Sequence, residues 1–412
     1  MMNKFVEFIN VHLAPKLTKI SKNAWLNAVQ ESLMTILPFI FVGSVINVVN
    51  NLRVVWESMP DLSPISSYTF GILGILLAYM FPYNLLKNKK IHKFATLGGF
   101  TGVGMYLMMS GLSTDAPTAI ASYFGAGGMF VAIILGIFIS LVMMFFNKYS
   151  LFKNNDTLPE IVVTWFDSLI PISLCFIAGW WISYPLGFNI FGVVNDLFAP
   201  LFSSSNTIWA LVGINFAFCF VYSFGISGWA IAPIAFPILL ANTAANVAAG
   251  QNAVLITSFE VILCAWLAIG GMGNTLSLNI LMLFSKAKRI KAIGKAGLVP
   301  SIFNVNEPIA YGLPIALNPI MMIPLWINGI VPSVITYFVL TSGLVPIPHN
   351  AFTMQFLPSP IETFIITNGS FTGPLFALVM FFISGVIYYP FFKSYEKTVI
   401  QEEKELLEGS NV

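Results

Sequence analysis

Eight mostly apolar stretches of 17 to 24 residues, none containing lysine or arginine, recur along this chain of 412 residues. They run over Leu33–Val49, Tyr68–Leu86, Phe94–Ser110, Gly128–Phe146, Ser168–Pro185, Ile208–Phe224, Leu317–Leu340 and Pro374–Pro390. About 17 to 25 such residues cross a bilayer as a helix, and lipid admits few other folds because it cannot satisfy open backbone groups. Only 9% of the residues are charged, against about 25% in soluble domains. An all-α polytopic membrane protein is therefore the expected fold.

All 19 basic residues lie outside these stretches. Lys4, Lys16, Lys19 and Lys22 precede the first; Lys87, Lys89, Lys90 and Lys93 follow the second; Lys148 and Lys153 follow the fourth. A further cluster spans Lys286 to Lys295, and Lys393, Lys397 and Lys404 close the chain. Only Arg53 falls on the opposite set of loops, so the positive-inside rule places both termini in the cytoplasm. Within Met1–Lys22, Phe5, Phe8, Ile9 and Leu13 recur at helical spacing, which predicts an interfacial amphipathic helix and argues against a cleaved leader.

The expected organisation is an amphipathic segment over 1–30, a scaffold and dimer-interface domain over 31–185 and a Gly/Pro/Ser-containing linker over 186–207. A transport domain follows over 208–392, then a cytoplasmic tail over 393–412. The second half is irregular. Gly225–Leu240 carries two glycines and two prolines and reads as too short to cross regularly. Val254–Phe284 is too long for one upright span at about 1.5 Å per residue, so it must tilt or break, with Gly270–Thr275 the expected break. Broken backbone at membrane depth must be buried in protein or line a watery cavity, and such segments point to a transporter's binding site.

The stretch Phe303–Pro314, "FNVNEPIAYGLP", places Glu307 among Asn304, Asn306 and Pro308. An intramembrane acid is costly and is a functional candidate by default. Freed amides and a carboxylate complement sugar hydroxyls, each of which donates and accepts. Glu31 and Asp167 read as helix N-terminal charges complementing the macrodipole, Glu260 as either a snorkelling acid or a pathway residue, and His349 as a residue holding its loop. Cys175, Cys219 and Cys264 read as packing residues. No metal-ligand cluster, nucleophile pair or Walker loop is present in the sequence, and no cofactor or nucleic acid is expected.

The segment "KAGLVPSIFNVNEPIAYGLPIALNPIMMIP" resembles the Asn-Glu-Pro signature of the lactose/cellobiose class of phosphotransferase-system sugar permeases, the IIC subunits. "NAWLNAVQESLMTILPFIFVGS", "GAGGMFVAIILGIFISL", "GGMGNTLSLNILMLFSKAKRIKAIGKAG" and "GVIYYPFFKSYE" extend the likeness over nearly the whole chain. The resemblance implies about ten transmembrane helices and two re-entrant hairpins, matched by Gly225–Leu240 and Ser301–Ala316. It also implies a homodimer and elevator movement of the sugar toward a cytoplasmic IIB protein whose phosphocysteine phosphorylates it. Glu307 would be the catalytic and sugar-binding acid, with Asn306, Asn304, Ser227, Gly228 and Asn274 beside it at the substrate. Two departures stand out. The first hairpin reads Gly225-Ile226-Ser227-Gly228 where the family has histidine in place of serine, and Pro346-Ile347-Pro348-His349 stands where a Pro-Trp is usual. Serine keeps a hydroxyl but cannot carry positive charge. Two readings follow: a IIC subunit importing a β-disaccharide with phosphorylation, or a paralogue that facilitates or senses sugar without it.

Overall fold

The computed structural model describes residues 23–51, 53, 58–111, 123–149, 159–194, 196–197, 206–226, 228–313 and 315–409. Among them the regular structure is helical, without strands. The expected amphipathic helix over 1–22 lies outside the described residues. Ala24–Gln30, assigned above to that segment, instead open the first long helix. The chain divides into two compact units, one comprising Lys22–Phe202 and the other containing Ser203–Val412, so the division falls inside the segment read as a linker.

In the first unit the helices include α1 (Ala24–Asn51), α2 (Ser63–Ser67), α3 (Leu73–Asn88), α4 (His92–Met109), α5 (Met129–Phe146) and α6 (Glu160–Ser183). α3 is the hub, packing against α1, α4 and α5. Small residues let membrane helices touch where lipid provides no hydrophobic drive between them. Gly102 of α4 shows how close: a Cβ there would fall 2.0 Å from the carbonyl oxygen of Ala78 on α3.

α6 begins eight residues before the apolar run that announced it, and Asp167 therefore sits inside the helix. Its side chain is fully buried and pairs with Lys93 at 3.4 Å. Glu31 likewise lies well inside α1, exposed, and accepts a hydrogen bond from Asn88 Nδ2 at 3.0 Å. Neither acid is the helix N-terminal charge that the sequence suggested.

The second unit contains α7 (Ile208–Ser223), α8 (Ala232–Ala249), a π-helical turn (Glu260–Cys264), α9 (Leu276–Leu283), α10 (Lys288–Ile302), α11 (Glu307–Gly312), α12 (Pro319–Thr341), α13 (Ser359–Ile366) and α14 (Thr372–Gly409). α8 corrects one expectation. The alanine-rich "ANTAANVAA" continues the helix past Leu240, and with the turn that follows it Ala232–Asn252 reaches 21 residues, long enough to cross. The Val254–Phe284 segment departs from expectation the other way. It is no long helix with a single break, since only its last eight residues before Phe284 are α-helical. α14 runs through Pro390 into the segment read as a tail.

Seven helical stretches among the described residues are long and apolar enough to cross a membrane, and α7 is a shorter apolar helix of 16 residues. α14 anchors the loop before α10. Glu396 accepts from Ser285 Oγ at 2.6 Å and from the Lys286 N–H at 2.7 Å, while Glu403 accepts from the N–H groups of Lys288 and Arg289 at 3.1 and 2.8 Å. Ala287 has no side chain to cap α10, so Glu403 supplies the acceptor that the helix start needs. α10 thereby delivers the Asn304–Glu307 loop from a fixed base.

Candidate functional site

Within the second unit, three irregular segments converge: the turn after α7, the Gly-rich segment before α9 and the loop between α10 and α11. α7 ends at Ser223, whose carbonyl oxygen accepts from the Leu317 N–H at 2.8 Å and whose hydroxyl accepts from Trp326 Nε1 at 3.0 Å. Gly225, with φ +72°, turns the chain into the short helical turn opened by Gly228. Gly228 is buried, and a Cβ there would lie 3.4 Å from Phe218 and 3.7 Å from Met272, so this turn faces the Gly-rich segment. Ser227 and the Trp229 side chain fall outside the described residues.

Gly270, Gly271 and Gly273 adopt φ of +78°, +98° and +77°, and Asn274 follows at +56°. Left-handed backbone of this kind suits glycine, with asparagine the usual substitute. The loop's amides and carbonyls need partners in lipid, and asparagine side chains provide them. Asn274 closes its own loop, its Oδ1 accepting from the Ile269 N–H at 2.8 Å and its Nδ2 donating to the Trp266 carbonyl at 3.0 Å. Asn304 Oδ1 accepts from the Gly270 N–H at 2.8 Å and from Ser359 Oγ at 3.2 Å, while its Nδ2 donates to the Leu357 carbonyl at 2.8 Å.

Asn306, 4% exposed, is the centre of the junction. Its Oδ1 accepts from the Tyr222 hydroxyl at 2.8 Å, and its Nδ2 donates to the Met272 carbonyl and to Thr275 Oγ1, both at 3.0 Å. Gly271 is pressed against it: a Cβ at that position would lie 2.5 Å from Asn306 Cγ. The three asparagines thus brace the broken backbone, with their amide groups turned to the protein.

Glu307 differs from its neighbours. It is the first residue of α11, its side chain is exposed, and among the described residues no hydrogen bond or ion pair reaches its carboxylate. An acceptor group free of internal partners, fixed at the end of a braced loop, is available to a ligand's hydroxyls. The structure therefore brings Gly228, Asn274, Asn304, Asn306 and Glu307 into one region, with one free acid and three amides engaged in support.

Several contributors escaped the sequence reading. Tyr222 and Thr275 sit in ordinary apolar or small-residue contexts, and their partners are 84 and 31 residues away from them at Asn306. The Tyr388 hydroxyl donates to the Gly273 carbonyl at 2.7 Å from a helix 115 residues on. Glu362 is completely buried in α13. An acid in a segment lacking basic residues was the signal that could have marked it. Glu260 is 1% exposed, which excludes the snorkelling alternative. His349 Nδ1 contacts the Ile347 carbonyl at 3.0 Å and holds its own loop. The three cysteines are buried and free.

Known proteins show the family. The profile of the family described as "Phosphotransferase system, EIIC" matches residues 30–329. The chain belongs to that family. It is 29% identical to the galactose-specific EIIC component of the phosphotransferase system of Lactococcus lactis, over 99% of both chains. It is also 29% identical to the lactose-specific EIICB component of Staphylococcus haemolyticus, covering all of this chain and 74% of that protein. The crystal structure of ChbC, the IIC component from the N,N'-diacetylchitobiose-specific phosphotransferase system, superimposes with a TM-score of 0.84 at 25% identity, over 96% of this chain and 99% of that one. The EIIC profile extends through Glu307 and ends at Gly329, so the braced loop lies within the family's matched region.

Proposed function

We propose that this EIIC protein is the membrane permease of a bacterial sugar phosphotransferase system, importing a β-linked disaccharide or related glycoside across the plasma membrane. It presents the sugar to a cytoplasmic IIB protein for phosphorylation. The observation that carries this reading is Glu307: a free carboxylate beside three asparagines whose own groups are engaged in holding the loop. Relatives named for galactose, lactose and diacetylchitobiose support the substrate class. A relative named as a joint EIICB component supports a IIB partner.

In this reading Glu307 accepts hydrogen bonds from sugar hydroxyls and orients, or takes the proton from, the one that attacks the phosphorus. Asn304, Asn306 and Asn274 set its position, Gly228 forms the opposite edge, and Ser227, its neighbour in sequence, is the further candidate for the sugar. Phosphoryl transfer gains mainly from positioning and charge stabilisation, which a fixed acceptor supplies. Two compact units support an elevator movement of the second unit, the apolar first unit supports a dimer contact, and the distribution of lysines supports cytoplasmic termini.

Proteoliposomes supplied with energised IIB test this directly. Glu307→Gln should lower sugar-phosphate formation by roughly 100-fold or more while leaving the thermal midpoint unchanged, because no internal partner is lost. Full activity in that variant would remove Glu307 from the mechanism. The serine of Gly225-Ile226-Ser227-Gly228 favours a second reading, a non-phosphorylating facilitator or sensor. Uptake of unmodified sugar, indifferent to IIB, would select it.

A further inference from the structure

Besides Glu396, which pairs with Lys393, the second unit holds two buried carboxyl groups among the described residues that the proposed sugar site does not use. Glu260 is 1% and Glu362 0% exposed. Glu260 opens the π-helical turn, Glu362 lies in the first turn of α13, and the two elements pack on each other. Cys264, buried at the end of the same turn, carries a free thiol. One oxygen of each acid has a donor. The Thr243 hydroxyl donates to Glu260 Oε2, and Asn304 Nδ2 reaches Glu362 Oε2 at 3.4 Å. Oε1 of each is buried without a hydrogen-bond partner.

The sequence around them supplies few cations. Residues 225–285 contain no Lys, Arg, His or Asp, and residues 305–387 contain no Lys, Arg or Asp and only His349, whose Nδ1 is turned to its own loop. Of the groups facing the pair, α8 contributes Thr243, the π-helical turn Cys264, and the chain before and after them the Ser258 hydroxyl and the Phe352 N–H, both near Glu260. All are neutral. None of the ion pairs among the described residues includes either acid. Two adjacent carboxylates, desolvated and without a counter-charge, repel each other and forfeit hydration. One bound proton removes the repulsion and turns an orphaned oxygen into a donor.

We infer that Glu260 and Glu362 together bind a proton within the transport unit, and that its occupancy is linked to sugar affinity through Asn304. The link is short. The Asn304 amide that touches Glu362 belongs to the side chain that accepts from Gly270 and Ser359, three residues before Glu307. When Glu362 is neutral, that amide is shared between its oxygen and the Leu357 carbonyl. Loss of the proton makes Glu362 an anion, which draws the amide toward itself and away from the brace. The linkage, unlike the proton site itself, rests on Glu307 being the sugar ligand.

Infrared spectroscopy of the full-length protein in lipid nanodiscs at about pH 7 reads the proton directly. The expected result is a carboxylic acid carbonyl band that shifts on ¹³C-glutamate labelling, is lost in both Glu260→Gln and Glu362→Gln, and persists in Glu31→Gln. Absence of the band in the native protein overturns the site, whether or not the variants fold. A band that emerges only when sodium is replaced by choline shows a metal cation in the proton's place and also overturns it. Binding of lactose, cellobiose and N,N'-diacetylchitobiose between about pH 6 and 9 tests the linkage. Affinity should fall roughly tenfold toward the alkaline end in the native protein and by less than about twofold in Glu362→Gln. Equal dependence in both overturns the linkage. If no sugar of the panel binds the native protein, the sugar reading fails while the infrared band still decides the proton site.

Discussion

The two units solve the same problem, a backbone in lipid, in opposite ways. In the Lys22–Phe202 unit, helices satisfy their own amides and touch through small residues such as Gly102, so side chains serve mainly for packing. In the Ser203–Val412 unit the backbone opens at Gly270–Asn274 and again at Asn304–Asn306, and asparagine amides replace the lost helical partners. The contrast separates two uses of polarity in a membrane. Engaged amides build the frame, while the Glu307 carboxylate beside them has no internal partner among the described residues.

The sharpest way to break that contrast is at Asn306. Removing its amide with Asn306→Ala deletes the bonds to the Tyr222 hydroxyl, the Met272 carbonyl and the Thr275 hydroxyl in a buried site. The expected loss is about 3 kcal/mol of stability, read as a lower thermal midpoint of the purified protein, together with loss of transport. An equally stable variant would mean that the junction is held by other groups. Asn306→Asp, which keeps the acceptor for Tyr222 but loses both donated bonds, should fall between the two.

Gly271→Ala comes next. The new Cβ meets Asn306 Cγ at 2.5 Å on a residue whose φ is +98°, so steric and backbone costs add. About 2 kcal/mol is expected, with sugar binding impaired more than in a control at Gly213, where a Cβ meets nothing within 4 Å. If the two variants behave alike, the close approach of the two broken segments does not govern the site.

The same contrast explains what could be read from the sequence. Spans of the first unit follow from hydropathy, because a regular helix in lipid needs only length and apolarity; α5 covers Met129–Phe146 where the apolar run covered Gly128–Phe146. The opening of the backbone at Gly270–Thr275 was legible from its glycines. The partners of Asn306 were not legible. Tyr222 lies in an unremarkable apolar helix, and its role exists only because the turn at Gly225 and the α10 loop bring it across 84 residues. Where α8 would end was hidden because alanine continues a helix as readily as leucine does. Asp167 was misplaced for a related reason: polar residues at the start of α6 are compatible with helix, so the apolar run marked only part of it.

The smallest effects belong to ion pairs of the first unit, and they grade with burial. Lys93→Ala removes the ion-pair partner of the buried Asp167 carboxylate, yet Lys93 itself is 27% exposed, so water already screens part of the attraction. About 1 kcal/mol is expected, and Asp167→Asn together with Lys93→Ala should recover most of it, since no buried carboxylate charge then remains. Arg53 and Asp61, 3.3 Å apart, are 42% and 49% exposed. Arg53→Ala should cost less than about 0.5 kcal/mol, because both partners regain hydration when separated. A thermal shift for Arg53→Ala as large as that for Lys93→Ala would show that charge count, and not desolvation, sets these costs in the first unit.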